Sequence, residues 1–139
     1  MSFDETRKET YDKGLSVRRE VLGASYVDKA LDQVSDFAKP IQEFVTEYCW
    51  GAVWSRDGLP RKTRSLLNLA MLTALNRSHE LAAHVRGALT NGATVEEIQE
   101  VLLQTAIYVG VPAALESFRV AEKVIGEFLK EEAEAEAAI

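Results

Sequence analysis

The chain has few of the residues that stabilise small secreted or metal-binding folds. Only one cysteine, Cys49, occurs among 139 residues, so neither an intramolecular disulfide, a CxxC redox pair nor a cysteine-rich zinc site can form. The N-terminus is charged where a signal peptide would need an apolar run, and no stretch approaches the roughly 18 apolar residues of a membrane span. We therefore expect a cytoplasmic protein with no membrane partner.

Basic residues are also scarce. Lys and Arg total 16 against 22 Asp and Glu, which gives a formal net charge of -6. Since nucleic-acid affinity comes largely from cations that neutralise phosphates, no nucleic-acid partner is expected. The hydrophobic content of 47% is typical of a globular chain. The length predicts one domain over residues 1–139, which ends in an acidic tail at 130–139.

Glycine and proline, eight and three residues, fall between segments with helical apolar spacing, and no useful strand alternation is present. The pattern predicts an all-α fold, a compact bundle of six or seven helices. The clearer helical segments are 6–22 (closed by Gly23), 27–34, one opened by Pro40, 61–76, 79–91, one after Thr94, and 113–130. The segment from Cys49 is more ambiguous and is interpreted as a short helix that runs into a loop.

Several helix details are specific enough to test. Thr94 and Glu97 have the spacing of a capping box, and Ser78 can cap the helix that follows it. The helix at 61–76 is apolar on nearly every side after its basic first turn, so it is expected to be buried all round. The sequence Gly110-Val-Pro112 predicts a helix break, and 131–139 a frayed, solvated tail.

Absent motifs restrict the chemistry further. The chain has no GxGxxG, Walker P-loop, GxSxG or HExxH sequence, so dinucleotide, nucleotide, serine-hydrolase and zincin sites lack their usual scaffolds. His79 and His84 are five residues apart, which on a helix turns them about 140° from each other. We therefore expect no metal and no organic cofactor.

One polar cluster could carry acid–base chemistry. Arg77, Glu80 and His84 have i, i+3, i+7 spacing, which places them on one helical stripe. Glu80 can then orient and polarise the imidazole, and a histidine with a carboxylate partner is the commonest general acid or base. The alternative is a surface ion pair beside an ordinary structural histidine.

A second cluster could bind an anionic, partly apolar ligand. Trp50 and Trp54 can wall a pocket, and the guanidinium of Arg56 can hold a carboxylate bidentately. The alternative, from their i, i+4 spacing, is that both tryptophans belong to the core.

Two further features involve single segments. Three cations occupy the first turn of one predicted helix, where the macrodipole disfavours them, so an anion is expected near Arg61, Lys62 and Arg64; a solvated face is the alternative. Cys49 is expected to be a small buried hydrophobic residue.

Five segments in order resemble the 4-carboxymuconolactone decarboxylases, from about Glu5 to Leu129: YDKGLSVRREVLG (11–23), WGAVWSRDGL (50–59), TRSLL (63–67), ELAAHVRGA (80–88) and QTAIYVGVPAA (104–114). This resemblance implies an alkylhydroperoxidase D-like fold. Redox members of that superfamily use a CxxC pair before a histidine; with the histidine aligned at His84, the cysteine positions fall at Arg77 and Glu80, and their glutamate at Ser65. A disulfide cycle needs two sulfurs, so a thiol peroxidase or reductase is the less favoured alternative.

The resemblance implies a cofactor-free decarboxylation in the protocatechuate branch of the β-ketoadipate pathway, from 4-carboxymuconolactone to 3-oxoadipate enol-lactone and CO2. The substrate is then a small lactone dicarboxylate. For that reaction we assign anion binding to Arg56 and Arg64 and the pocket walls to Trp50 and Trp54. His84, oriented by Glu80, is expected to deliver the proton. Arg77 and Arg86 are alternative substrate-binding residues.

Short helices in a chain of this size leave apolar faces uncovered, particularly near Gly110-Val-Pro112. The resemblance implies a ring of subunits, so we expect a homo-oligomer, a trimer or hexamer. The non-enzymatic alternative is a helical assembly module, which has no need for the Arg, Glu, His and Trp set.

Overall fold

The computed structural model describes residues 3–139. The helices are α1 (Phe3–Leu22), α2 (Ala24–Asp32), α3 (Lys39–Phe44), a π-helix (Val45–Trp54), α4 (Arg61–Ala74), α5 (Ser78–Thr90), α6 (Val95–Tyr108) and α7 (Val111–Ala137). No strand occurs in this part of the chain, so the all-α prediction is confirmed. None of the helices within residues 3–139 is long and apolar enough to cross a membrane.

The chain divides into two compact units, one ending at Arg61 and the other beginning at Lys62. The first contains α1, α2, α3 and the π-helix; the second contains nearly all of α4 and all of α5, α6 and α7. Each unit is described below by itself. The single domain expected over residues 1–139 stays a prediction.

In the first unit, α1 packs closely against the π-helix because both contribute a glycine at the crossing. A Cβ atom built on Gly14 would lie 2.0 Å from the carbonyl oxygen of Thr46, and one on Gly51 would lie 2.3 Å from that of Thr10. Only glycine permits this approach of two backbones. Gly23, with φ of 95°, then ends α1 as the sequence predicts.

The segment from Lys39 to Trp54 is helical throughout, first as α3 and then as the π-helix. Pro40 lies in the first turn of α3, which confirms its predicted place at a helix start. The short helix predicted from Cys49 exists, but it starts earlier and has π geometry, which periodicity does not reveal. Cys49 itself is exposed, so its predicted burial is wrong: it lies on the outer side of the π-helix while Trp50 and Gly51 face inward.

Two arginines of α1 donate hydrogen bonds to side chains of α3 and the π-helix. Arg7 donates two hydrogen bonds to Glu47, at 3.0 and 3.1 Å. Arg18, only 7% exposed, donates to Thr46 and Gln42. Its Nε has no hydrogen-bond partner among the described residues, and desolvation lowers the pKa of this guanidinium.

The core of the second unit is a cluster of apolar side chains from all four of its helices. Its buried members are Leu69, Leu81, Val85, Ala88, Ala93, Ile98, Leu102, Ala121 and Val124. The predicted capping box holds α6: Thr94 Oγ1 accepts from the Glu97 amide at 3.0 Å, and Glu97 accepts from the Thr94 amide at 2.9 Å. Gly92 and Gly110 have positive φ at the two predicted breaks.

Three predictions for this unit are wrong. Among the described residues no side-chain hydrogen bond caps α5, and Ser78 is its first helical residue, with Arg77 at the N-cap. The apolar helix α4 is not buried all round, because its side chains Leu67 and Met71 are exposed. The segment at 131–139 is not frayed: α7 continues to Ala137, as expected for a run of the strong helix formers Glu and Ala.

Candidate active site

His84 lies on α5 between the core and the protein surface. Its sequence neighbours include buried Val85, and Leu81, one turn earlier, is also buried, whereas the imidazole is partly buried. The side-chain amide of Asn68 on α4 approaches the ring, with Nδ2 3.4 Å from Nδ1 of His84. The ring is therefore held between two helices of the second unit.

Burial controls the charge of His84. Desolvation lowers the pKa of the imidazole from 6.5 to about 4, and the negative charge of Glu80 opposes this shift only in part. The carboxylate partner therefore does not keep the imidazole at its usual pKa. The physical reason is that loss of water around the imidazolium outweighs attraction to an exposed carboxylate. His84 is uncharged at pH 7.

The other members of the predicted stripe are exposed. Glu80 occupies the first turn of α5 and acts electrostatically on His84, as the i, i+4 spacing predicts. Arg77 is the N-cap residue, with φ of -105° and ψ of 72°, so it lies just before the helix on which the stripe was drawn. The structure therefore supports an interaction between Glu80 and His84. It does not place Arg77 on the same helix.

In the first unit, Trp50 and Trp54 stack on each other, with ring centroids 4.7 Å apart and an interplanar angle of 28°. Both are buried, as their core alternative predicts. Arg56 follows them in an exposed turn. The structure therefore brings the two tryptophans together, and their role as pocket walls stays a prediction.

The three cations at the start of α4 have different surroundings. Arg61 donates to Glu20 at 2.6 Å, and Lys62 lies 3.2 Å from Glu97. Protein carboxylates thus supply the anions expected near these two residues. Arg64 is partly buried in the same turn, and its assignment to anion binding stays a prediction.

Arg86 has a partner within its own unit. It donates two hydrogen bonds to Glu131 of α7, at 2.8 and 3.0 Å, and its guanidinium lies 5.7 Å from the ring centroid of Phe128. This bidentate pair fixes Arg86 on the side of α7. Glu131 belongs to the segment that the sequence predicts to be a frayed tail, so the pairing was missed.

Sequence reasoning also missed the two asparagines that link α4 to α5. Asn68 approaches His84, and the amide of Asn91, at the end of α5, donates to Ser65 at 2.9 Å. Asn68 is 16 positions from His84 and carries no local signal of the contact. Within the described residues no three His, Cys, Asp or Glu side chains gather to hold a metal ion; cofactor independence stays a prediction.

A model of the carboxymuconolactone decarboxylase family matches residues 39–123. The chain belongs to this family. The match begins at α3 and ends within α7, so it includes Trp50, Trp54, Asn68, Glu80 and His84. The predicted resemblance is confirmed.

Two curated relatives match most of the chain, and a third matches a shorter part of it. The 4-carboxymuconolactone decarboxylase of Acinetobacter baylyi is 44% identical over 117 residues, covering 84% of this chain and 87% of that protein. The nitrosuccinic acid decarboxylase of Metarhizium robertsii is 43% identical over 126 residues, covering 91% and 88%. A 4-carboxymuconolactone decarboxylase sequence of Pseudomonas putida is 43% identical over 44 residues, 32% of this chain and 92% of that sequence. These named relatives are all decarboxylases.

Proposed function

We propose that the chain is a cofactor-free carboxy-lyase that converts 4-carboxymuconolactone to 3-oxoadipate enol-lactone and CO2. The observation that carries the proposal is the 44% identity, over most of both chains, to a decarboxylase named for this substrate. The chemistry of the second unit agrees with it. A partly buried histidine with a nearby carboxylate occurs on α5, while positions 77 and 80 have no thiol for a disulfide cycle.

The substrate contains its own electron sink. Its leaving carboxylate is attached to a ring carbon, and the electrons of the broken bond pass through the ring double bond to the lactone carbonyl, which gives a dienolate. Protonation of the carbon next to that carbonyl completes the reaction. The protein must therefore hold two carboxylates, stabilise an oxyanion, exclude water from the departing group and supply one proton.

In this proposal His84 faces the dienolate. Because the imidazole is uncharged at pH 7, it presents a single N–H, which stabilises the developing negative charge as a hydrogen-bond donor. The proton that reaches the ring carbon comes from a water molecule, whose hydroxide is released to solvent. Glu80 orients the ring. We assign Arg56 and Arg64 to binding of the carboxylates, and Trp50 and Trp54 to the apolar walls. Arg77 is an alternative anion-binding residue. Arg86 is another, although its guanidinium is already paired with Glu131.

Nitrosuccinic acid is a second candidate substrate, because the fungal relative named for it matches 91% of the chain. The two acids share a chemical plan. Each is a dicarboxylate that loses one carboxylate from a carbon whose electrons can be accepted by oxygen, in a lactone carbonyl or in a nitro group. They differ in shape, since one is cyclic and the other is an open chain.

A comparison of kcat/KM for CO2 release from the two acids tests the proposal. We expect 4-carboxymuconolactone to be the better substrate, with the enol-lactone formed in equal amount. A higher kcat/KM for nitrosuccinic acid would assign the chain to the second candidate. The same assay after exhaustive chelation tests cofactor independence: the rate is expected to persist, and loss restored by one metal would contradict it.

We also propose that the chain forms a homo-oligomer, a trimer or hexamer. Large apolar side chains near the break between α6 and α7 are exposed, with Ile107 at 80% and Tyr108 at 84%. A cavity of about 320 Å³ lies between α4 and α6, lined largely by apolar side chains that include Leu67 and Tyr108. Contiguous exposed apolar surface of this kind marks interaction sites.

A further inference from the structure

We propose that Asn68 is a positioning residue that holds His84 in the tautomer with its hydrogen on Nε2. This inference rests on the proposed function, since it specifies which ring nitrogen of His84 meets the substrate. Asn68 projects from α4 and His84 from α5, and the amide nitrogen Nδ2 lies 3.4 Å from Nδ1 of the imidazole.

The argument begins with the hydrogen-bonding capacity of the two groups. An amide nitrogen only donates, so Nδ1 must accept and therefore carries no hydrogen. A neutral imidazole has one N–H, which is then on Nε2. A second proton on Nδ1 would place two donors against each other, so Asn68 also opposes formation of the imidazolium. The hydrogen bond made by one ring nitrogen thus selects the state of the other.

The helices that carry the pair contribute side chains to one buried cluster. Leu69, next to Asn68, and Val85, next to His84, belong to the same buried cluster and are fully inaccessible to solvent. Asn91 and Ser65 make a second link between the same two helices. The two helices that carry the amide and the imidazole thus share one apolar cluster and a second polar link.

The consequence for the reaction is directional. With Nδ1 accepting from Asn68, the one N–H of the ring is on Nε2, and in the proposed reaction it donates to the dienolate. The reverse tautomer would turn an unprotonated nitrogen toward the developing negative charge and repel it. Asn68 therefore acts through His84 and need not touch the substrate.

The test is a comparison of the wild type with Asn68→Asp by two-dimensional ¹⁵N NMR of the imidazoles at pH 7. The chain has only two histidines, and exposed His79 serves as an internal reference. We expect Nε2–H for His84 in the wild type. In Asn68→Asp a carboxylate accepts from Nδ1, so Nδ1 is expected to become protonated, and kcat to fall about 10- to 10²-fold with little change in KM.

Two further variants keep the result interpretable. Asn76→Asp introduces the same carboxylate at an exposed turn position and should change neither the tautomer nor kcat. Asn68→Ala removes the donor without adding charge and should lower kcat by less than Asn68→Asp; it also serves if that variant folds poorly.

Nδ1–H in the wild type, or an unaltered tautomer in Asn68→Asp, would overturn the inference. A tautomer that switches as expected in a protein without decarboxylase activity would support the positioning of His84 by Asn68 and reject the proposed function instead. The NMR readout thus separates the two.

Discussion

Gly14 of α1 lies so close to Thr46 of the π-helix that a Cβ atom at position 14 would be 2.0 Å from the Thr46 carbonyl oxygen. The neighbouring atom is backbone, so it cannot rotate away. The same crossing involves Gly51, whose main-chain nitrogen would be 2.6 Å from that Cβ. The π-helix that carries the stacked pair Trp50 and Trp54 is therefore positioned by the absence of a side chain on α1.

We predict that Gly14→Ala destabilises the protein by about 3 kcal/mol or more, since overpacking against a rigid neighbour forces the backbone to shift. Gly126→Ala is the matched control. Gly126 is a helical glycine of α7 with open space around its Cβ position, so alanine there should stabilise the protein by up to about 1 kcal/mol. Denaturant unfolding of both variants checks this; equal effects would contradict the close crossing.

His84→Ala is predicted to lower kcat by about 10²- to 10³-fold, the usual contribution of one hydrogen-bond donor to a developing oxyanion, with a nearly unchanged melting temperature. His79→Ala on the same helix is the control, because His79 is exposed, and its kcat should stay at the wild-type value. Glu80→Gln should reduce kcat less than His84→Ala. If His84→Ala lowers stability but leaves kcat per folded molecule unchanged, the residue is structural.

The lowered pKa of His84 predicts a pH dependence of stability. The folded protein favours the uncharged imidazole, with a pKa of about 4 against an ordinary 6.5, so the unfolded chain binds a proton first as pH falls. This residue's contribution is therefore fully present above about pH 6.5 and is lost as pH falls towards 4. The linkage amounts to at most about 3 kcal/mol.

The test compares the free energy of unfolding of the wild type with that of His84→Gln at pH 7.5 and at pH 4.5. Both proteins have the same carboxylates, so the change in their difference with pH reports the titration of His84. The free energy of unfolding of the wild type, relative to that of His84→Gln, should fall at the lower pH. A constant difference between the two proteins would show that the imidazole titrates alike in the folded and unfolded states.

We predict that light scattering at micromolar concentration gives a mass several times 15.4 kDa. The reason is that the exposed apolar side chains around Ile107 are expected to be buried between subunits. Ile107→Glu should reduce that mass. Ala133→Glu adds the same carboxylate at an exposed position of α7 and should leave it unchanged. A wild-type monomer would contradict the proposed oligomer.

Local signals in the sequence predict much of the fold. Thr94 and Glu97 are three residues apart, and their capping box is complete within one turn. Gly92 and Gly110 adopt the positive φ that breaks helices. Each of these features depends on a few consecutive residues, which is why the sequence alone is sufficient to place them.

Features that depend on distant residues were not predictable in this way. The pKa of His84 depends on how deeply α5 is buried, and Asn68, which contacts it, is 16 positions earlier. Glu131 pairs with Arg86 across 45 positions. The π geometry of Val45–Trp54 likewise leaves no trace in apolar spacing, since the segment is already interrupted by Gly51.

The measurement that tests the central claim most directly is CO2 release from 4-carboxymuconolactone by the purified protein, without added metal or organic cofactor and against a protein-free blank. The account predicts catalytic turnover with one enol-lactone formed for each CO2, and its near loss in His84→Ala. No release above the blank from a folded wild-type protein, or equal release by His84→Ala, would contradict it.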